Sequence, residues 1–213
     1  MATGFPDSAK QRLLRFWLVS LLGFLAMSDH HSEDAAARKV GFLLEGSFED
    51  HEIARMAEGA TKTVVVPFYE WDYGIRAFSE AEWKKRGLTW EKVDEWTRAS
   101  TKEIIEEVKA DVIRDERGIV EYVILADKNP FLTGLILSPV IHETYRDLLG
   151  DRIHAIPIDR NRIYLFPATG GSLKEYGPAL VDEFRRAPLP VTLEIFLLDD
   201  SGYRVVGELR RGG

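Results

Sequence analysis

One short polar turn carries the residue types best suited to binding chemistry. Asp159, Arg160, Asn161 and Arg162 follow one another between two apolar runs that predict β-strands. Two guanidinium groups can hold a carboxylate or a phosphate through paired hydrogen bonds. Asp and Asn are also favoured in turns, because their side chains bond to the local backbone. That preference favours a solvated turn with internal ion pairs over a binding site formed by Arg160, Asn161 and Arg162.

Two histidines near this turn suggest acid–base or metal chemistry. His142 lies in a predicted helix, with Glu143 beside it, and His154 lies in a predicted strand. Two imidazoles and a carboxylate would suit zinc or iron, but the spacing of these residues matches no compact ligand motif. We therefore expect no metal site and no cofactor. His142, His154 and Asp159 are the candidates for catalytic groups.

A third histidine begins a motif that is not completed. His51 and Glu52 start like the zinc-binding helix of a metalloprotease, but Arg55 stands where the second histidine must be. The chain ends on Gly212 and Gly213, like the tail of a ubiquitin-like modifier. Glycine permits the close backbone approach that an activating enzyme requires. Conjugation through this tail is therefore one alternative function.

Composition narrows the class of protein. The 213 residues carry a net charge of −7, are 45% hydrophobic and include no cysteine. The acidic balance argues against binding to nucleic acid, and the absence of cysteine fits a cytoplasmic protein. Basic residues, an apolar run and a small-residue site between residues 10 and 28 resemble a signal peptide. Export is thus the alternative location, although the run is too short for a stable membrane span.

The elements that must position these residues follow from periodicity and turn signals. Residues 1–28 predict an apolar helix, which is either a signal-like segment or a non-native extension, and residues 29–213 predict one domain. Residues 35–44 and 48–59 predict short helices, and residues 62–69 predict a strand with Pro67 at a sheet edge. Further helices are predicted over residues 79–87, 89–109, 131–149 and 173–186.

Two predicted hairpins complete the architecture. One encloses the turn at Asp159–Arg162, and the other joins residues 191–198 to residues 203–209 through Ser201 and Gly202. A strand–strand–helix–strand–strand order implies an antiparallel sheet with a helix on one face. The predicted fold is therefore α+β: a helical N-terminal part followed by an antiparallel sheet built from two β-hairpins, with a helix packed on one face.

From about Phe78 onward the chain resembles the YtpQ-like bacterial family, a domain of unknown function. Three blocks carry this resemblance: residues 78–93, residues 138–157 with the Ala155-Ile156-Pro157 strand, and residues 173–202 with Asp200-Ser201-Gly202. The family usually has an aspartate three residues after the proline of that strand, whereas this chain has Arg160 there, beside Asp159. The resemblance supports the α+β fold and implies no known activity.

Taken together, these features favour a non-enzymatic accessory or regulatory protein that acts through contacts with another protein. The sequence contains no complete catalytic motif, and its net charge is negative. An alternative is a hydrolase or small-ligand-binding enzyme with a polar site at the hairpin of residues 152–167. The sequence does not indicate an oligomeric state.

Overall fold

The computed structural model describes residues 39–210, which form two antiparallel β-sheets and five short helices. The predicted helix within residues 1–28, together with Gly212 and Gly213, lies outside the described residues. Both sheets belong to a unit that begins at Val40.

The first sheet has four strands, and the longest of them, β3, is central. Strand β3 pairs with β1 along one side and with β2 and β4 along the other. The strands are β1 (Val40–Gly46), β2 (Arg55–Met56), β3 (Thr63–Trp71) and β4 (Gly74–Ala77).

The second sheet has six strands in the order β10-β9-β7-β8-β6-β5, and all neighbouring pairs are antiparallel. The strands are β5 (Ala110–Arg114), β6 (Val120–Ala126), β7 (Ile153–Asp159), β8 (Arg162–Pro167), β9 (Glu194–Asp199) and β10 (Gly202–Glu208). The β7–β8 turn is the polar turn that the sequence singled out.

Three of the five described helices begin at side-chain caps, whereas the 3₁₀ helix and the last helix have no side-chain cap. Ser79 and Glu82 form a reciprocal capping box at the first helix, and the Thr89 and Ser138 hydroxyls accept backbone N–H groups at two others. The helices are α1 (Glu80–Lys85), α2 (Trp90–Glu107), a 3₁₀ helix (Leu132–Leu137), α3 (Pro139–Leu149) and α4 (Ser172–Phe184). Within residues 39–210, no helix combines the length and apolar character needed to cross a membrane.

Each face of the six-stranded sheet packs in a different core. One face, which includes Ile153 and Ala155, packs with the first sheet, α2, α3 and the 3₁₀ helix in the larger core. The other face, which includes Ile156, Ile158 and Phe166, packs on Leu180 of α4 in the smaller core. Because strand side chains alternate between faces, residues of β7 are divided between the two cores.

The outer edge of β1 is closed by hydroxyl groups rather than by another strand. The Phe42 N–H donates to Thr97 Oγ1 at 2.9 Å, and the Leu44 N–H donates to Thr133 Oγ1 at 3.2 Å. Unpaired edge groups are a template for aggregation. These two threonines therefore fix α2 and the 3₁₀ helix against the strand and satisfy its buried donors.

The predicted fold is wrong in its architecture. The two predicted hairpins exist, but they belong to one sheet of six strands, and a second sheet lies before them. The helices predicted over residues 35–44 and 48–59 are replaced in the described residues by β1 and by a loop that contains β2. Pro67 is not at a sheet edge: β1 lies on one side of it, and on the other side its carbonyl accepts the N–H of Phe78.

Candidate functional site

The guanidinium of Arg160 joins the two sheets at a cluster of ionisable residues. Arg160 lies in the β7–β8 turn, and its Nη2 donates to Glu45 Oε2 at 2.9 Å and to Glu49 Oε2 at 3.2 Å. Glu45 lies near the end of β1, and Glu49 and His51 lie in the loop that follows it. We call Glu45, Glu49, His51 and Arg160 the inter-sheet cluster.

Burial changes the proton affinities within the inter-sheet cluster. The side chain of Glu45 is only 1% exposed, and its burial raises its pKa to about 7 despite the opposing hydrogen bond and charge of Arg160. Burial also lowers the pKa of His51, while the neighbouring Glu49 carboxylate acts in the opposite direction. A carboxyl group that titrates near neutral pH can exchange protons under physiological conditions.

An aromatic ring supports the inter-sheet cluster. Phe68 of β3 is 4% exposed; its ring centroid lies 5.8 Å from that of the His51 imidazole and 5.8 Å from the Arg160 guanidinium carbon. The contact with Arg160 is a cation–π interaction. The cluster therefore combines an apolar floor with two carboxylates, an imidazole and a guanidinium.

Sequence patterns indicate only two members of this cluster: Arg160 through its turn, and His51 through an incomplete motif. They do not indicate Glu45 or Glu49 as site residues. The available signal was Glu45 itself, because it follows the apolar run of Phe42, Leu43 and Leu44, and a charged residue in a buried strand needs a partner. Because residues 35–44 are predicted as a helix, the sequence patterns do not place Glu45 at the end of a buried strand.

Asp159 is bonded within the fold. It is 7% exposed, and its carboxylate accepts the N–H of Asn161 at 2.8 Å and the N–H of Leu189 at 3.0 Å. The Arg160 N–H in turn donates to the Leu189 carbonyl at 3.0 Å. These bonds attach the β7–β8 turn to the segment that follows α4.

Arg160 and Arg162 do not converge on one site. Arg162 turns to α4, where its Nη1 pairs with Glu183, and the Tyr164 hydroxyl donates to the same carboxylate at 2.6 Å. Arg160 instead points to Glu45 and Glu49. Asn161 and Arg162 do, however, line a pocket of about 560 Å³ together with Asp159, Glu183 and Arg186.

His142 and His154 lie on opposite sides of the six-stranded sheet. His142 is 4% exposed on α3, whose Ile141 packs in the larger core, and its Nε2 lies 2.9 Å from the carbonyl oxygen of Asp151. His154 alternates with Ile153 and Ala155 along β7, so its side chain faces the smaller core. Burial lowers the pKa of His154. The fold therefore does not bring the two imidazoles together.

The aromatic residues between positions 68 and 78 separate into a buried and an exposed group. Phe68, Tyr69 and Phe78 are at most 5% exposed, whereas Trp71 is 37% and Tyr73 84% exposed. The two exposed rings meet edge to face at 5.0 Å at the tip of the β3–β4 hairpin.

Comparison of the chain with protein-family models, with curated proteins and with solved structures found no match.

Proposed function

We propose that this protein is a non-enzymatic accessory or regulatory protein that binds another protein through the tip of the β3–β4 hairpin. The observation that carries the proposal is the exposed pair of Trp71 and Tyr73, held edge to face at 5.0 Å. Tyrosine and tryptophan dominate the binding energy of protein interfaces. They also bring large contact areas with few rotatable bonds, so a pre-arranged pair loses little entropy on binding.

The hairpin tip also indicates the chemistry of its partner. Acidic residues alternate with the aromatic ones in the order Glu70, Trp71, Asp72 and Tyr73. Lysine and arginine are attracted both to carboxylates and to the faces of aromatic rings. The matching surface is an apolar pocket bordered by basic residues. The net charge of −7 also favours a basic partner.

A double substitution tests this function. We expect Trp71→Ala with Tyr73→Ala to weaken binding of the partner by about 30-fold or more, since hot-spot residues contribute about 2 kcal/mol or more. The measurement is titration calorimetry with the partner, first captured by the full chain from its own cell extract and then purified. Unfolding in urea checks that the variant remains folded.

The matched control is Ile119→Ala, which removes an exposed apolar side chain beside the β5–β6 turn, where Ile119 is 56% exposed. The control should bind the partner as the unchanged chain does. Equal binding by the double variant and the unchanged chain would contradict the proposal.

A second candidate function is binding of a small anion in the pocket of about 560 Å³ beside α4. Among the described residues, the Arg186 side chain donates one hydrogen bond, from Nε to the Asp182 carbonyl at 3.1 Å. Arg162, by contrast, already pairs with Glu183. Arg186 is therefore the cation of this pocket that can receive a carboxylate or a phosphate.

Substitution of Arg186 tests the second candidate. We expect inorganic phosphate or a small carboxylate to shift backbone amide signals at Asn161 and Arg162, and Arg186→Gln to abolish those shifts because the binding charge is lost. The measurement is a ¹H–¹⁵N NMR titration. Arg185→Gln is the matched control, since Arg185 is adjacent but does not line the pocket. Equal loss of the shifts in both variants would rule out a specific site.

A further inference from the structure

The inter-sheet cluster contains three groups that are arranged as metal ligands. Glu45, Glu49 and His51 each offer one ligand atom, and these atoms lie within 4.8 Å of one another. Ligand atoms around a tetrahedral zinc ion are about 3.4 Å apart, since Zn–N and Zn–O distances are about 2.0–2.2 Å. His51 Nε2 already lies 3.5 Å from Glu49 Oε2. Small side-chain movements therefore bring the three atoms to coordination distance.

Two of these ligand groups have buried atoms without a hydrogen bond. Glu45 Oε1 and His51 Nε2 are both inaccessible to solvent, and neither has a hydrogen-bond partner within residues 39–210. Arg160 Nε lies 2.8 Å from Glu45 Oε1, but this contact lacks hydrogen-bond geometry. Buried polar atoms are nearly always hydrogen-bonded. Among the described residues, Glu45 Oε1 has the ion-pair contact with Arg160, and His51 Nε2 has the 3.5 Å contact with Glu49 Oε2, in place of such a bond. Both atoms can therefore take a metal cation as a better-placed partner.

Glu45 Oε1 and His51 Nε2 belong to ligand types that suit a transition-metal cation. A neutral imidazole nitrogen with two carboxylate oxygens is a common donor set for zinc, and three protein ligands leave one position open for water. Magnesium and calcium instead prefer oxygen ligands alone. Zinc is therefore the cation that best matches Glu45, Glu49 and His51.

We propose that Glu45, Glu49 and His51 form a zinc-binding site in which the cation and the guanidinium of Arg160 exchange places. Arg160 now holds both carboxylates, with Nη2 at 2.9 Å from Glu45 and 3.2 Å from Glu49. A divalent cation cannot bind the same oxygens while the guanidinium contacts them, because like charges at this distance repel. Zinc binding releases Arg160 and with it the contact between β1 and the β7–β8 turn.

Zinc titration of the full chain tests this site. Isothermal titration calorimetry with zinc chloride should show one zinc ion per chain. Glu49→Gln and His51→Gln should each weaken binding by at least about tenfold, because even changes behind a metal ligand cost about 10–100-fold in affinity. The matched control is Asp50→Asn, which removes the same charge from the same loop and should leave the affinity unchanged.

Arg160→Gln tests the exchange itself. This variant should bind zinc about tenfold more tightly or better, because the competing positive charge is gone while hydrogen bonding to the carboxylates is kept. The site is supported if the unchanged chain and Asp50→Asn both bind zinc, whereas Glu49→Gln and His51→Gln bind it more weakly or not at all.

The proposed zinc site is overturned if the unchanged chain does not bind zinc. It is also overturned if the ligand variants and the control variant all bind zinc with equal affinity. Binding by Arg160→Gln alone also overturns it, since Arg160 would then be the permanent occupant. Equal zinc affinity of Arg160→Gln and the unchanged chain overturns the exchange.

Discussion

Substitution of Glu194 by alanine is expected to lower the free energy of unfolding by about 3–4 kcal/mol. Glu194 begins β9 and is 3% exposed. Its carboxylate accepts the Thr61 N–H at 2.7 Å and the Thr63 hydroxyl at 2.6 Å, and it also receives the Thr61 hydroxyl and the Lys62 N–H. Hydrogen bonds to a charged group contribute about 1.5–3 kcal/mol each, and unsatisfied buried donors cost more.

The effect is large because this carboxylate connects the two sheets. Residues 61–63 lead into β3 of the first sheet, whereas Glu194 belongs to the second. Alanine would remove the acceptor of the buried Thr63 hydroxyl, together with that of the N–H groups of the exposed residues Thr61 and Lys62. We expect a urea-denaturation midpoint well below that of the unchanged chain, with the same dependence of the unfolding free energy on urea concentration.

The same interaction predicts how stability depends on pH. Burial acts to raise the pKa of Glu194, but the hydrogen bonds from Thr63, Thr61 and Lys62 together outweigh it and hold the pKa below its usual value. The folded chain therefore favours the ionised form. The stabilisation is fully present above the unfolded-state pKa, about 4.3, and is lost as pH falls through the lower folded-state value.

Glu194→Gln separates the charge from the shape of the side chain. Its stability deficit relative to the unchanged chain should be largest near pH 7 and should shrink as pH falls below about 4. Glu95→Gln, at an exposed position of α2, should stay within about 0.5 kcal/mol of the unchanged chain. A deficit for Glu194→Gln that is the same at pH 7 and pH 3.5 would contradict the assignment.

The parts of the fold that the sequence predicted are those governed by local chemistry. The capping boxes and turns, such as Ser79 with Glu82 or the Gly202 turn, depend on residues within a few positions of one another. The end of α3 at Gly150 is equally local. These signals do not depend on which sheet an element later joins.

The helix prediction for residues 35–44 is wrong because the interactions that make β1 a strand are not local in the sequence. Its residues from Gly41 to Gly46 are all buried, so the strand lacks the alternation of polar and apolar side chains that marks a half-exposed strand. A short apolar run fits a buried helix equally well. What selects the strand is pairing with β3 and the distant hydroxyls of Thr97 and Thr133. With β1 assigned to a helix, the second sheet could not be predicted.

The inter-sheet cluster cannot be predicted from the sequence for the same reason. Arg160 and Glu45 are 115 residues apart in the chain, and nothing local to either residue indicates the other. The turn at Asp159 was predicted because its side chain bonds two residues ahead, to the Asn161 N–H. Local preference thus located the turn, whereas only the assembled sheets show where the Arg160 side chain binds.

Gly134→Ala is expected to destabilise the protein by about 2–4 kcal/mol, mainly through backbone overlap. Gly134 lies in the 3₁₀ helix that crosses the outer edge of β1, and a Cβ atom there would be 2.4 Å from the carbonyl oxygen of Phe42. Both partners are rigid, because the oxygen belongs to the backbone of a strand whose Phe42 side chain is 1% exposed. Overpacking a close-packed core costs about 1–3 kcal/mol, and more when no side chain can move away.

The overlap at Gly134 also weakens the neighbouring hydrogen bond between Leu44 and Thr133. Thr133 precedes Gly134 and accepts the Leu44 N–H at 3.2 Å, so a shift of the 3₁₀ helix away from β1 lengthens that bond as well. The loss of one buried hydrogen bond adds about 1 kcal/mol to the strain. We expect thermal unfolding of Gly134→Ala to show a midpoint lower by several degrees or more. Hydrogen exchange at the Leu44 amide should also be faster than in the unchanged chain.

Gly207→Ala distinguishes this overlap from a general effect of replacing glycine. A Cβ at Gly207 of β10 would meet its nearest neighbour, Ile195 Cδ1, at 3.8 Å, which is ordinary van der Waals contact. Alanine loses less conformational freedom on folding than glycine, so this variant should be neutral or slightly more stable. If Gly134→Ala were equally neutral, the close approach of the 3₁₀ helix to β1 would not exist in solution. In that case the hydroxyl groups could not close the edge of β1 as described.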